Sequence, residues 1–178
     1  NLRITRHVIQ EYGVQSMGRE YANSISGLVP GVMAQTGMET LEIIKGVVDE
    51  TKPDVVFAVD ALAARSTKRL NRTIQITDTG INPGSGVGNH RNGLSEETLG
   101  VKVIGIGVPT VVDAATIVQD SMAHLLDTLE ESEKKEFLEE MIAPSLHSMF
   151  VTPKDVDETV KRLSYTISEG LNMAFEQA

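Results

Sequence analysis

The feature that most constrains the fold is a continuous apolar run, VVFAV at residues 55–59, rich in β-branched side chains. Such a run is typical of a strand buried on both faces, the usual state in a parallel sheet. Residues 101–106 (VKVIGI) predict a second strand, and residues 73–77 (TIQIT) alternate as a half-exposed strand does. Stretches with helical spacing surround these strands. The order of elements predicts an α/β fold, namely a three-layer αβα sandwich with a mostly parallel central sheet.

The helices next to the predicted strands have recognisable boundaries. Residues 36–39 (TGME) fit a capping box, with a hydroxyl followed by Glu at the third position. Lys52 precedes a proline and therefore ends that helix. The alanine-rich residues 61–65 predict a helix that begins directly after the strand at 55–59. Residues 109–110 (PT) predict the start of a helix that runs to about Leu129.

Three further helices are expected before and after the region that contains the predicted strands. Residues 1–12 predict the end of a helix that Gly13 stops. Residues 130–140 are highly charged, which predicts a surface helix. The last helix opens at residues 152–153 (TP), because proline suits the first helical position. Its expected buried side chains share helical spacing and are Val156, Val160, Leu163, Ile167 and Leu171.

Composition excludes several classes of protein. The 178 residues, 40% apolar and 23% charged, suit one globular domain, residues 1–178. Cysteine is absent, which excludes disulfides and thiolate metal sites. The net charge of -9 repels phosphate and aromatic residues make up 4%, so direct nucleic-acid binding is not expected. No apolar run reaches the ~18 residues of a membrane helix, and no signal peptide is visible, so a cytoplasmic protein without a membrane contact is predicted.

Asp60 is the strongest candidate for chemistry. It follows the apolar run at 55–59, and open α/β sheets build their active sites at the carboxyl ends of strands. A partly desolvated carboxylate at that place is suited to acid–base catalysis. The alternative is that Asp60 caps a helix beginning at Ala61. Position alone leaves both interpretations open.

The segment between the predicted strands at residues 73–77 and 101–106 contains two weaker candidates for a functional site. Asp78 begins the triplet Asp-Thr-Gly of pepsin-like proteases, but those enzymes are all-β and use two such aspartates. A turn with Gly80 at positive φ is the simpler explanation. The glycine-rich loop at residues 80–93 fits neither a P-loop nor a dinucleotide fingerprint. It is either a substrate-facing loop or a purely structural one.

Asp113 stands three positions after Thr110, so the pair fits a capping box. Its nearness to the expected carboxyl edge of the sheet keeps it a candidate site residue. The histidines lack the spacing of three or four residues that a helical zinc pair needs, and they are His7, His90, His124 and His147. Gly-x-Ser-x-Gly does not occur either. We therefore predict no metal, no cofactor and no serine nucleophile.

Taken together, four stretches of the chain closely resemble the germination protease family of spore-forming bacteria. Weaker similarity extends back through PGVMAQTGMET (30–40) to TRH (5–7). The four stretches are KPDVVFAVDALAAR (52–65), QITDTGINPGSGVGN (75–89), VIGIGVPTVVDA (103–114) and APSLHSMFVTPKDVD (143–157). No single one of them is decisive, but chance agreement of all four in this order is very improbable.

The resemblance implies a fold related to the hydrogenase-maturation endopeptidases and an atypical aspartic endopeptidase without a cofactor. Such enzymes cleave small acid-soluble spore proteins during germination, are made as zymogens, act in the spore core and form homo-oligomers. The second of the family's two proposed catalytic aspartates lies in the stretch that matches AVDALAAR, which places it at Asp60. Asp78 and Asp113 remain weaker neighbours of that site.

Two departures from the family pattern limit what the resemblance implies. The family's first aspartate lies in a Thr-Pro-Asp-Ala-Leu-Gly-Pro stretch that this chain does not contain. Relatives also have a longer segment near residues 127–128. We therefore expect residues 1–178 to be a carboxyl-terminal catalytic part, without its upstream strand and propeptide, that hydrolyses nothing alone. The alternatives are a metal-dependent endopeptidase of the hydrogenase-maturation type and a non-catalytic binder that holds an anion on the 80–93 loop.

Overall fold

The computed structural model describes residues 25–84, 88, 92–126 and 130–176. The chain falls into two compact units, one comprising residues 1–29 with 157–178 and the other residues 30–156. The helix predicted at residues 1–12 lies outside the described residues, as does the TRH similarity.

The described elements agree in kind and order with an α/β protein. The helices are α1 (Met33–Thr36), α2 (Thr40–Thr51), α3 (Glu96–Leu99), α4 (Ala114–Leu126), α5 (Glu131–Met141) and α6 (Val156–Glu176). The strands are β1 (Val55–Ala64), β2 (Gln75–Thr77), β3 (Lys102–Asp113) and β4 (Phe150–Val151). Two 3₁₀ turns complete the description, at Thr67–Arg69 and Pro144–Ser148.

Strand β3 is the centre of a mixed sheet of four strands. On one edge it pairs in parallel with the whole of β1. On its other edge β2 and β4 pair with it antiparallel over short stretches. The predicted α/β class is confirmed, and the long ladder is the parallel one. The arrangement of helices in three layers stays a prediction.

Both long strands extend further than their sequence patterns predict. The helix expected at residues 61–65 is wrong, because β1 continues to Ala64. The helix expected from Pro109 is also wrong in its start, because β3 continues to Asp113 and α4 begins at Ala114. The extra residues of the two strands pair with each other, so ladder hydrogen bonds and burial outweigh the helix propensity of alanine and leucine.

The capping box predicted at Thr36 is wrong, because the residue that caps the next helix is Glu39, three positions further along the chain. Thr36 is the last residue of α1, and α2 begins with Glu39 as its cap. The backbone N–H of Glu39 donates to Oε2 of Glu42 at 2.8 Å, and the Glu39 side chain accepts from the backbone of the same residue. The predicted end of this helix is confirmed at Lys52, whose φ of 45° leaves the helical region.

The two carboxyl-terminal helices are present where they are predicted, but the start of the second one differs. Helix α5 covers the charged stretch. The predicted start of the last helix at residues 152–153 is wrong, because α6 begins at Val156 and Pro153 lies before it. Four of the five expected side chains of the α6 stripe are at least half-buried. Val160 is the exception, because it is 40% exposed while its neighbour Thr159 is buried.

The glycine-rich loop is positioned by a small hydrophobic cluster in the larger unit. Its buried members are Leu94, Leu99 and Val103, which bring the end of the loop, α3 and β3 together. Partly buried side chains of α2 and β1 pack against them, among them Ile44 and Val56. Apolar burial therefore fixes the loop exit against the strand that pairs with β1.

Candidate active site

Asp60 lies within β1 rather than at its end. It is the sixth of the ten residues of the strand and pairs with Gly107 of β3. Gly107 has no side chain, and the space that a Cβ would need there is taken by Leu62. Because side chains alternate along a strand, Leu62 projects from the same face of β1 as Asp60. The sheet thus surrounds this carboxylate with a glycine and an aliphatic side chain.

One oxygen of this carboxylate, Asp60 Oδ2, is buried and has no hydrogen-bond partner among the described residues. A buried polar atom without a partner costs about 1–3 kcal/mol, and native structures contain few of them. The capping alternative is wrong, since no helix follows Asp60. A donor for this oxygen must therefore come from water, a ligand or residues beyond those described.

A β-bulge interrupts the parallel ladder just beyond Asp60. Leu62 pairs with Pro109 but Ala63 pairs with Val111, so Thr110 is the extra residue of β3. Bulges bend a strand locally and are frequent beside active sites. Two hydrogen bonds from residues outside the β1–β3 ladder also stabilise this bulge. Its Thr110 carbonyl accepts a hydrogen bond from the Thr152 hydroxyl at 2.9 Å, and the Pro109 carbonyl accepts one from a backbone N–H at 2.8 Å.

A cavity of about 200 Å³ lies beside the bulge. Its walls come from β1, β3 and the beginning of the glycine-rich loop, and they are Ala61, Leu62, Ala63, Asn82, Gly84, Thr110 and Val111. Most of these residues are small or aliphatic. One lining residue, Ala61, directly follows Asp60 in β1, and its side chain projects from the face of the strand opposite to Asp60 because successive side chains alternate.

Backbone pairing pins both ends of the glycine-rich loop. Ile81 and Leu94 exchange two hydrogen bonds, of 2.9 and 2.8 Å. Gly80 has a φ of 88°, and a Cβ at that position would collide with the Leu94 carbonyl. The Asn92 amide donates to Glu39 Oε2 at 2.7 Å, which ties the loop to the cap of α2. The tip of the loop, residues 85–87 and 89–91, lies outside the described residues.

The structure does not bring Asp78 to Asp60. Asp78 is exposed in the bend after β2, where the hydroxyls of Thr77 and Thr79 lie 2.7 Å apart. Strands β1 and β2 pair with opposite edges of β3, so β3 separates the two carboxylates. The arrangement favours a turn role for the Asp-Thr-Gly triplet, as the simpler explanation predicted.

Asp113 uses both carboxylate oxygens in capping α4. Its Oδ1 accepts from the backbone N–H of Thr116 at 2.8 Å, and its Oδ2 accepts from the Thr116 hydroxyl at 2.7 Å. The predicted pairing with Thr110 is wrong, because Thr110 lies inside β3. The capping role itself is present with a different partner.

Asp120 of α4 is a structurally important carboxylate that the sequence patterns did not single out. Its Oδ2 accepts hydrogen bonds from the Thr67 backbone N–H, the Thr67 hydroxyl and the Ser66 hydroxyl. The Thr67 hydroxyl is the largest cause that lowers the pKa of Asp120. The Thr67 N–H, the Ser66 hydroxyl and the Lys68 charge act in the same direction, and partial burial opposes them. No local sequence motif predicts this contact, because Thr67 and Ser66 lie 53 and 54 positions before Asp120 in the chain.

Neither a metal cluster nor a membrane helix is found in the described part of the chain. No three side chains among its histidines, aspartates and glutamates lie close enough together to hold a metal ion. His7 and His90 lie outside that part. None of the described helices combines the length and the apolar character needed to cross a bilayer.

The site is thus a carboxylate set in the parallel ladder of an α/β sheet, beside a bulge and a small cavity. Comparison with known protein families identifies the family to which a chain with this site belongs. The model of the family described as germination protease matches residues 1–129 and 122–178. This chain belongs to the germination protease family.

Curated relatives named germination protease agree with the family match. The protein from Caldanaerobacter subterraneus subsp. tengcongensis is 45% identical over 193 residues, covering 99% of this chain and 59% of that protein. The Clostridium tetani protein is 44% identical, with coverages of 99% and 59%. The Bacillus subtilis protein is 40% identical, with coverages of 99% and 60%. This chain therefore spans about three-fifths of the length of these relatives.

The alignments also bear on the segment near residues 127–128. The Bacillus subtilis alignment extends over 226 residues, more than the 178 of this chain, so the relative contains residues that this chain lacks. The family model matches in two parts that overlap at residues 122–129. The break between the two matched parts agrees with a longer segment in relatives at this point. The alignment length agrees with extra residues within the aligned region, without giving their position.

Proposed function

We propose that the natural gene product carrying this sequence is an endopeptidase that degrades small acid-soluble spore proteins during germination. Asp60 is one of its two catalytic aspartates in this proposal. The observation that carries the assignment is the buried Oδ2 of Asp60, which no described residue satisfies. Family membership supplies the reaction class.

A paired-aspartate mechanism gives that oxygen a partner. In such a pair one carboxylate is ionised and the other protonated, because two close carboxylates do not both ionise cheaply. The shared proton then forms the hydrogen bond that Asp60 lacks within the described chain. The ionised group takes a proton from water as the water oxygen attacks the scissile carbonyl carbon. The protonated group donates a hydrogen bond to the carbonyl oxygen and then its proton, which gives a tetrahedral diol. The carbon–nitrogen bond breaks as the first aspartate passes the proton taken from water to the leaving amine, and a diol hydroxyl returns a proton to the second aspartate.

The second aspartate is expected upstream of residue 1. Asp113 has both oxygens engaged by Thr116, and Asp78 is separated from Asp60 by β3. Neither residue is placed to share a proton with Asp60. The proposal therefore includes a longer gene product, which forms a homo-oligomer, is made as a zymogen and acts in the spore core.

The decisive experiment is to incubate the natural gene product with small acid-soluble spore proteins and identify the fragments by mass spectrometry. We expect internal cleavage that persists in the presence of a chelator. Absence of any cleavage would refute the proposal. Activity that a chelator abolishes and one divalent metal restores would assign a metal-dependent mechanism instead.

A second assay tests the expected missing carboxylate. Residues 1–178 expressed alone should hydrolyse none of these proteins, and an upstream segment supplied separately should restore cleavage. Cleavage by residues 1–178 alone would show that both catalytic groups are already present in this chain.

A further inference from the structure

We propose that Asn92 is a spontaneous deamidation site, and that conversion of its side-chain amide to a carboxylate releases the end of the glycine-rich loop from the cap of α2. The modification needs only water and does not depend on the proposed function. It gives a chemical role to the dipeptide of Asn92 and Gly93, which the catalytic mechanism does not use.

The residue that follows Asn92 makes this asparagine different from the others. Of the seven asparagines in the sequence, it alone precedes a glycine. Glycine has no Cβ, so its backbone nitrogen can approach the preceding side chain with little hindrance. The fold also requires a glycine at this position, because a Cβ on Gly93 would collide with Oδ1 of Asn82. The packing of the loop therefore keeps the reactive dipeptide in place.

Both reacting groups are accessible. Asn92 is exposed, and among the described residues none accepts a hydrogen bond from the backbone N–H of Gly93. The Asn92 amide nitrogen donates to Glu39 Oε2 at 2.7 Å in an exposed hydrogen bond. Exposed hydrogen bonds in loops open at small cost, so this one does not keep the amide away from the Gly93 nitrogen.

The reaction requires no further residue. The Gly93 nitrogen loses its proton and bonds to Cγ of Asn92, the bond from Cγ to the amide nitrogen breaks, and ammonia leaves with the proton. Water then opens the resulting cyclic imide. Breaking the new bond at Cγ gives aspartate, whereas breaking the original peptide bond gives isoaspartate. In either product a neutral amide has become a carboxylic acid, which is ionised at neutral pH.

The new carboxylate would face an acidic helix cap. Glu39 caps α2, and Glu42 accepts a hydrogen bond from its backbone N–H. The Asn92 amide donates to Glu39, whereas a carboxylate at the same place cannot donate and repels it. Deamidation therefore replaces the contact that ties the loop to α2 with a repulsion between like charges.

The first test follows the natural gene product over days at mildly alkaline pH. Peptide mapping after digestion at acid pH measures the mass gained when an amide becomes an acid, and fragmentation separates aspartate from isoaspartate. Asn71 and Asn172, which precede an arginine and a methionine, are internal controls in the same samples. We expect Asn92 to convert at least ~tenfold faster than either control, because Gly93 lacks the Cβ that the following residue has in both. Equal rates at the three positions would overturn the proposal.

The second test measures the release of the loop. The Leu94 N–H donates to the Ile81 carbonyl at 2.8 Å beside Asn92, so its hydrogen exchange reports local opening. Asn92→Asp stands for the product, and its Leu94 amide should exchange about two- to fivefold faster than in the wild type, the size of effect that an exposed charge pair has on a local opening. The matched control Asn92→Gln keeps an amide donor and should exchange at the wild-type rate.

A double variant shows whether Glu39 is the cause. Glu39→Gln removes the repelling charge and supplies an amide donor, so Asn92→Asp combined with it should exchange at the wild-type rate. Wild-type exchange in Asn92→Asp alone would overturn the release of the loop. An increase that Glu39→Gln does not reverse would overturn it as well.

Discussion

Thr67 donates both its backbone N–H and its hydroxyl to one oxygen of Asp120, at 2.6 Å in each case. Ser66 adds a third hydrogen bond to the same oxygen at 3.0 Å. Through these bonds the turn that leaves β1 is fastened to helix α4, which itself continues from β3. The two strands of the parallel ladder are therefore joined a second time, beyond their last paired residues.

Removing this acceptor should weaken the fold. Asp120→Ala leaves three donors without their partner, and we expect a loss of about 1 kcal/mol in the free energy of unfolding, the usual net contribution of a hydrogen bond within a protein. Urea denaturation followed by circular dichroism measures the loss. Asp49→Ala, an exposed acidic residue near the carboxyl end of α2, is the control and should not destabilise the chain. Equal stability of Asp120→Ala and the wild type would mean that the three bonds contribute nothing.

The same contact should make stability depend on pH in the acid range. The hydrogen bonds from the 66–67 segment lower the pKa of Asp120 below its ordinary value of 3.8. Folding therefore gains stability from the ionised carboxylate above that ordinary pKa, and the gain is lost as the pH falls through the lower pKa of the folded state. The difference in stability between the wild type and Asp120→Asn should be largest near neutral pH and shrink below about pH 4. A difference that grows on acidification would contradict this assignment.

Asp60 should be essential for hydrolysis and dispensable for folding. In the natural gene product, Asp60→Asn keeps the shape of the side chain but removes its ability to exchange a proton, so the rate of spore-protein cleavage should fall at least ~100-fold. Asp78→Asn makes the same chemical change at an exposed carboxylate across β3 and should retain near wild-type activity. Initial rates and unfolding midpoints of both variants provide the comparison. Near-normal cleavage by a folded Asp60→Asn enzyme would remove Asp60 from the mechanism.

Asp113 should matter for stability and not for chemistry. Asp113→Ala removes the acceptor for Thr116 at the start of α4 and should cost about 1 kcal/mol, whereas Asp113→Asn keeps a side-chain acceptor and should cost less. Cleavage rates per folded molecule should be unchanged in both variants. If Asp113→Asn stayed fully folded but lost activity, Asp113 would become the first candidate for the second catalytic carboxylate.

Gly107 should tolerate no side chain. A methyl group at this position would overlap Leu62, so Gly107→Ala should destabilise the chain by about 1–3 kcal/mol through overpacking. The matched change Gly46→Ala meets nothing within 4 Å and replaces a helical glycine, so it should stabilise by up to ~1 kcal/mol. Unfolding midpoints that shift in the same direction for both variants would contradict the packing argument.

Local sequence patterns predicted the existence and order of most elements, but not the ends of the two long strands. Residues 61–64 favour a helix when considered alone, and only their pairing with β3 makes them a strand. Pairing between segments more than 40 positions apart has no signature in either segment. The bulge at Thr110 and the cavity beside it depend on that register, so neither could be predicted from the pattern of apolar residues.

In the candidate site, too, features that depend on local sequence could be predicted, whereas contacts between distant segments could not. Asp60 could be singled out because it ends an apolar run, and resemblance to the family strengthened the choice. The capping role of Asp113 was predicted because such roles are local, although its partner was assigned wrongly. The contact between Asp120 and Thr67 joins a helix to a distant turn, so it became visible only once both were placed in three dimensions.

The crowding around Gly107 has a consequence for how inactive variants are interpreted. Gly80, Gly105 and Gly107 each lie where an added Cβ would meet backbone or side-chain atoms closer than real Cβ atoms come. A saturation-mutagenesis screen scored only by loss of protease function would therefore rank these three glycines beside Asp60, although none of them carries a reactive group. Sorting the inactive variants by cellular abundance would separate the two kinds, since glycine variants should disappear from the soluble fraction while Asp60→Asn accumulates as an inert enzyme.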